Sequence, residues 1–192
     1  MRLLMSILMF ILIASCGTLF AAPKDKFQIG LEGGMWLAGG DVSVDDDSTE
    51  TYINLQKESS MIFRGFADLY ALKYFQPGIF VNYVPTITYQ DSKTEQTMFE
   101  FGLSAKFKIP LSEKMCIRPG IGLGRRSFTS DSKESDNVIG LGANLSCEFQ
   151  YEITPSFALI LETGFLSQPV GGNTDYSVTF PPIWYLTAGI GF

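Results

Sequence analysis

The chain has 192 residues, a length that suits one domain, and is 46% apolar with no long hydrophobic run after its first two dozen positions. Its 20 Asp and Glu outnumber 14 Lys and Arg, and no dense basic stripe is present, which disfavours nucleic-acid binding. There is no histidine, which excludes a Ser-His-Asp relay, a Cys-His pair and any histidine-ligated metal site.

At the start, Arg2 is followed by LLMSILMFILIA, then small residues, then PKDK. A basic residue, a short apolar stretch and a small-residue boundary predict a secretory signal peptide over residues 1–22, too short for a comfortable transmembrane helix. Cleavage is expected near Ala21 or Ala22. The alternative is lipoprotein processing, because Ile13-Ala14-Ser15-Cys16 resembles a relaxed lipobox; the apolar GTLFAA that would then follow the lipidated cysteine argues against it.

From Lys26 onward, period-two alternation recurs in eight segments, near 27–39, 60–75, 78–90, 97–109, 114–128, 137–152, 157–167 and 182–192. No helical period and no linker interrupts them, so residues 23–192 are expected to form one domain. In the first segment Phe27, Ile29, Leu31, Met35 and Leu37 face away from Gln28, Gly30, Glu32, Gly34 and Trp36. In the fourth, Phe99, Phe101, Leu103, Ala105, Phe107 and Ile109 oppose Glu100, Gly102, Ser104, Lys106 and Lys108. The fifth sets Ile117, Ile121 and Leu123 against Cys116, Arg118, Gly120, Gly122, Gly124 and Arg126. The sixth sets Ile139, Leu141, Ala143, Leu145, Cys147 and Phe149 against Gly140, Gly142, Asn144, Ser146, Glu148 and Gln150. Cys116 and Cys147 therefore fall on opposite faces, and no disulfide is expected. Pro85 and Pro119 sit inside segments where their missing N–H groups are needed, so a bulge or local break is expected at each.

The connections alternate in length. FQPG, PLSEK and ITPS read as tight turns; DVSVDDDSTETYINLQKES, DSKTEQ, TSDSKESD and QPVGGNTDYSVTFP read as longer polar loops. The first of these carries Asp41, Asp45, Asp46, Asp47 and Glu50 without the spacing of a calcium loop, and is expected to be a solvated acidic loop; weak divalent-cation binding near lipopolysaccharide is the alternative. Short turns on one side and polar loops on the other are the pattern of a transmembrane β-barrel with both termini on the short-turn side.

Alternation alone also fits a soluble lipocalin-like barrel with an apolar interior. Three features favour lipid outside. Charges of both signs occupy the polar face at segment centres, glycines concentrate on that face, and Phe27, Phe75, Phe149, Phe157 and Trp184 lie near segment ends on the apolar face, where aromatic girdles form. The sequence ends in YLTAGIGF, with Trp184, Leu186, Ala188, Ile190 and Phe192 on the apolar row. A spanning sheet must close, because lipid leaves no partner for an unpaired backbone group. The signal peptide, the eight segments and this aromatic end resemble the small outer-membrane barrels of the outer membrane protein A and X type. The resemblance implies an all-β, eight-stranded antiparallel up-and-down transmembrane barrel in the bacterial outer membrane. It also implies a C-terminal signal for the barrel-assembly machinery, here matched by Trp184, Leu186, Ile190 and Phe192. Unlike full-length outer membrane protein A, no peptidoglycan-binding domain is expected after the last segment.

Projected inward are Glu32, Arg64, Asp68, Glu100, Lys106, Arg118, Arg126, Glu148 and Glu162. Buried charges persist only when paired, because desolvation costs several kcal/mol each. Lys106, Arg118 and Glu148 are expected to cluster towards the periplasmic end, as a plug in preference to an ion gate or porin-like pore lining. Glu32 and Asp68 are expected to face each other, but without a nucleophile and an orienting partner they do not make a catalytic site. The inward aromatics Trp36, Phe66, Tyr70 and Tyr74 are expected to fill space left by Gly120, Gly122, Gly124, Gly140 and Gly142; a cavity for an acyl chain is the alternative. The expected function is non-enzymatic, with a structural, envelope-integrity or surface-interaction role. A small pore or transporter for ions or apolar solutes, and a soluble periplasmic binder, are the alternatives. No cofactor is expected. The expected partners are outer-membrane lipids, lipopolysaccharide, the assembly machinery and an unidentified surface ligand, with the protein a monomer.

Overall fold

The computed structural model describes residues 27–46, 51–70, 74–90, 95–130, 138–172 and 176–192. The expected signal peptide, the Cys16 lipidation site, and Asp47 and Glu50 lie outside the described residues. The strands are β1 (Phe27–Trp36), β2 (Asp41–Asp46), β3 (Thr51–Gln56), β4 (Ser60–Leu69), β5 (Phe75–Ile87), β6 (Gln96–Phe107), the two-residue β7 (Ile109–Pro110), β8 (Met115–Ser130), β9 (Val138–Thr154), β10 (Phe157–Gly172) and β11 (Tyr176–Gly191).

Eight of these form an antiparallel ring in the order β1-β4-β5-β6-β8-β9-β10-β11. The ring closes where β11 pairs β1, from Gly30↔Gly191 to Trp36↔Tyr185. Ile29 and Phe192 extend that seam: the Ile29 N–H donates to the Phe192 carbonyl at 3.1 Å and the Phe192 N–H to the Ile29 carbonyl at 2.8 Å. Each ring strand corresponds to one alternating segment of the sequence. The alternation fixes which face is outside. Leu103 is 70% exposed and Ile79 59%, whereas Glu100 and Asn82 on the opposite faces of the same strands are fully buried.

The two interior prolines act differently. At Pro85 the β5–β6 register shifts between Val84 and Ile87, so one extra residue bulges out of β5 and the inward phase moves from Val84 to Ile87. At Pro119 the β8–β9 register runs on unbroken, with Pro119 opposite Cys147. The break falls instead on the other side, between Lys106↔Gly120 and Ile109↔Ile117, and pairing resumes in the same register. One missing N–H thus interrupts a single ladder without shifting any side chain to the other face.

Several expected loops are strands. The acidic segment after β1 is a hairpin, β2–β3, whose β2 pairs the start of β11 from Ser43↔Thr179 to Asp46↔Tyr176. QPVGGNTDYSVTFP carries the end of β10 and the beginning of β11, joined by register shifts at Leu166, Gln168 and Gly171. Pro169, Pro181, Pro182 and paired glycines disturb the alternation there without ending the strands. FQPG is not a turn: β5 already runs through it, and Pro77 pairs Ala105. Tyr74 precedes β5 and is 51% exposed, so it does not project inward as expected.

β8, β9, β10 and β11 have 16, 17, 16 and 16 residues, whereas a tilted strand needs only about 9–11 to cross a bilayer. The surplus lies at the loop end, where the polarity of the wall reverses. Below, the outward face is apolar and the lumen charged. Above, the outward positions include Thr86, Thr97, Arg125, Ser127, Thr129, Ser167 and Thr179, while the inward ones include Val84, Ile87, Met98, Phe128, Leu166, Val178 and Phe180, all seven of these buried. These inward residues belong to one hydrophobic cluster with Trp36, Val42, Ile62, Tyr89, Val138, Ile183 and Tyr185. A membrane-type barrel therefore carries a soluble-type collar.

Candidate functional site

All nine charged residues assigned to the lumen are buried, none more than 7% exposed. β8 and β9 set Arg118 opposite Glu148, and β9 and β10 set Glu148 opposite Glu162. Two carboxylates facing each other across strands repel, so each must be held by cations. Arg118 grips Glu148 through two nitrogens, with the Nε–H donating to Oε1 at 2.9 Å. Lys106 Nζ donates to the other oxygen at 3.0 Å. Asp68 accepts from both cations, at 3.0 Å from Lys106 and 3.1 Å from Arg118. Arg118 also donates to Gln76 Oε1 at 3.1 Å. The expected Lys106–Arg118–Glu148 cluster is thus present, with Asp68 as a fourth member.

Glu162 pairs with Arg64 Nη2 at 2.8 Å and accepts the Tyr185 hydroxyl. Glu32 accepts the hydroxyl of Thr187. It lies opposite Arg64, and Asp68 lies opposite Gln28, so the expected Glu32–Asp68 pair does not form. The register of β1 on β4 separates those two by four positions. Higher in the barrel, Glu100 accepts from Arg126 at 2.9 Å and from Asn82 at 2.7 Å, and Arg126 reaches the Ser167 carbonyl at 2.6 Å.

The inward glycines make room for this network. A Cβ on Gly142 would collide with Glu100 and Arg126, one on Gly122 with Asn144, and one on Gly120 with Lys106. Gly30 similarly yields to the Phe66 ring, over which Lys106 Nζ sits at 3.6 Å from the centroid. The cavity among Arg64, Phe66, Phe80, Ser104, Lys106, Asn144 and Ser146 measures about 10 Å³, room for no more than one water. It cannot take an acyl chain. Above it, Phe128 and Phe180 stack at 4.5 Å and Trp36 packs on Phe180 at 5.9 Å, so aromatics from β8, β11 and β1 meet across the mouth.

Over that mouth lies Lys57, a residue that no motif or alternation in the sequence marks out. Its fully buried ammonium rests 4.4 Å from the Trp36 ring centroid and donates to the carbonyls of Trp36 at 3.0 Å, Leu37 at 3.3 Å and Glu58. Burial pushes its pKa down to about 7. Gln28, already on the polar face of its segment, is fully buried, and so are the uncharged Gln76 and Asn82, which no charge marks out in the sequence.

Trp184 and Leu186 point outward at 52% and 48% exposure, and Ile190 and Phe192 are half-buried on the same row. The Phe192 ring packs on Phe157 at 5.7 Å. Cys116 is buried in the lumen, 3.7 Å from Gln150, whereas Cys147 is exposed on the outer wall; both are free.

No family model matches the chain, and no curated protein matches it in sequence. Solved structures do. The crystal structure of Neisserial surface protein A superposes with a TM-score of 0.63 at 12% identity, covering 86% of this chain and 95% of that one. The fold is that of a small outer-membrane β-barrel. The outer membrane protein AlkL in lipid bilayers gives 0.53 at 12% identity, over 88% of this chain and 90% of that one. The N-terminal β-barrel domain of Pseudomonas aeruginosa OprF gives 0.51 at 11% identity, over 86% and 96%. At such identities the likeness concerns the barrel and its eight-stranded ring; the lumen network and the apolar collar are described from this chain alone.

Proposed function

We propose that this chain is an integral outer-membrane barrel, exported by residues 1–22, that conducts nothing and acts through its loop end in a structural or surface-interaction role. The observation that carries the reading is the double seal of the lumen, a paired charge network below and a stacked aromatic core above. A pore needs a wet path past charges that can relax into water; here most of those charges are held in ion pairs with one another. The outward band of Leu103, Ile79, Ile121, Leu145 and their neighbours supports lipid as the surrounding medium, and so disfavours the soluble binder. Lipids would contact that band, lipopolysaccharide the outer rim, and a surface ligand the projecting β2–β3 hairpin. The reading is non-enzymatic and calls on no cofactor, in keeping with a sequence free of histidine. Planar-bilayer recording of the purified, folded protein tests it. Silence at all voltages is expected, and reproducible single-channel openings would replace this reading with a pore.

A further inference from the structure

The lumen network does not balance. Its buried carboxylates are Glu32, Asp68, Glu100, Glu148 and Glu162; its buried cations are Arg64, Lys106, Arg118 and Arg126. Lys57 cannot supply the missing charge, because it lies beyond the apolar collar and is bound to backbone carbonyls. One negative charge is therefore left over in a dry interior, where an uncompensated ion costs several kcal/mol.

The hydrogen bonds locate the excess. Both oxygens of Glu148 are taken, one by Arg118 and the other by Lys106. Glu162 Oε1 is taken by Arg64 and Tyr185, and Glu32 Oε2 by Thr187. Four buried carboxylate oxygens have no donor, Glu32 Oε1, Asp68 Oδ1, Glu100 Oε1 and Glu162 Oε2, and the first and last belong to carboxylates of one converging trio. Glu32 is the carboxylate for which no ion pair is found among the described residues, yet it is only 5% exposed. One oxygen each from Glu32, Glu148 and Glu162 lies within 4.8 Å of the other two. Glu32 and Glu162, each with an unpaired oxygen, thus belong to a converging trio of carboxylates in a network short of one positive charge.

We propose that Glu32 and Glu162, flanked by Glu148, bind one small monovalent metal cation of the sodium class as part of the folded barrel. A single positive charge neutralises the network, whereas a divalent ion would leave it positive by one. The cation would accept the two orphaned oxygens as ligands and relieve the repulsion between the facing strands β9 and β10. This goes beyond the sealed-lumen reading, since a barrel can be silent with or without such an ion.

The test is equilibrium urea unfolding of the folded protein in neutral lipid vesicles. Ionic strength and pH are held constant while sodium replaces N-methylglucamine. One-site linkage predicts that, well above the dissociation constant, each tenfold rise in sodium lowers the unfolding constant about tenfold. Magnesium at matched ionic strength should produce no such dependence. Glu32→Gln removes the excess charge, so this variant should fold, be at least as stable as the parent without sodium, and show no sodium response. A midpoint independent of sodium at fixed pH would overturn the proposal and assign the balancing charge to a proton. A sodium response that survives in Glu32→Gln would overturn it too, by placing the ion elsewhere.

Discussion

Glu148 stands between Arg118 and Lys106, and removing its charge leaves those two cations with Asp68 alone. Breaking a buried pair from one side typically costs about 3–5 kcal/mol. Urea unfolding of Glu148→Gln in vesicles should show a loss of that order, and an unchanged midpoint would mean the lumen is wet. Lys57 gives a prediction of the opposite kind, because its partners are dipoles. Its folded pKa sits at about 7 against an ordinary value of 10.5. Below pH 7 both folded and unfolded forms carry the proton, so it confers no pH dependence there. Between about 7 and 10.5 the unfolded chain binds the proton and the folded one does not, so stability rises with pH across that window. Midpoints measured from pH 6 to pH 10 should climb in the parent, and Lys57→Met should flatten the climb.

At the level of strands, the closing seam has one contact that involves no long ladder. Phe192 exchanges both backbone hydrogen bonds with Ile29, and its ring packs on Phe157 of β10. Phe192→Ser keeps the former and loses the latter, while deleting the residue loses both. If Trp184, Leu186, Ile190 and Phe192 serve as the assembly signal, both variants should be exported normally yet reach the outer membrane as folded, heat-modifiable protein at much lower levels, the deletion more so. Semi-native electrophoresis of outer-membrane fractions measures this. The strands themselves were readable because alternation of large apolar with charged or small residues survives any uncertainty about their ends. That is why Arg118, Glu148 and Cys116 could be assigned inward and Cys147 outward. The hairpin β2–β3 was not readable, since Asp41, Asp45 and Asp46 look like solvated loop and their strand is held by pairing with distant β11. Nor was the partner of Glu32: facing is set by register, and β1 is offset on β4 so that Arg64, not Asp68, lies across from it.

The whole molecule uses two hydrophobic solvents. Its lower wall turns Leu103, Leu123, Leu145 and Leu161 outward, and its upper wall turns Met98, Phe128, Leu166 and Phe180 inward. In β6, β8 and β9 the alternation continues through the change, whereas in β5, β10 and β11 its phase shifts there. In the first three only the chemistry of the two faces is exchanged, and in the last two the prolines at 169, 181 and 182 blur even that, which is why the upper parts of β10 and β11 read as loop. The exchange explains how a narrow barrel can be closed twice without a plug domain. It also assigns the two seals to different media, one inside the lipid-facing belt and one beyond it.

That division bears on hydrophobic mismatch. A barrel whose only apolar surface faces lipid must tilt, or deform the bilayer, when membrane thickness departs from the height of its band. Here the core that shuts the mouth draws its stability from Trp36, Phe128 and Phe180 packing on one another. Thickness changes are thus absorbed by the belt below, and the loop-end surface keeps one shape in thin and thick membranes alike.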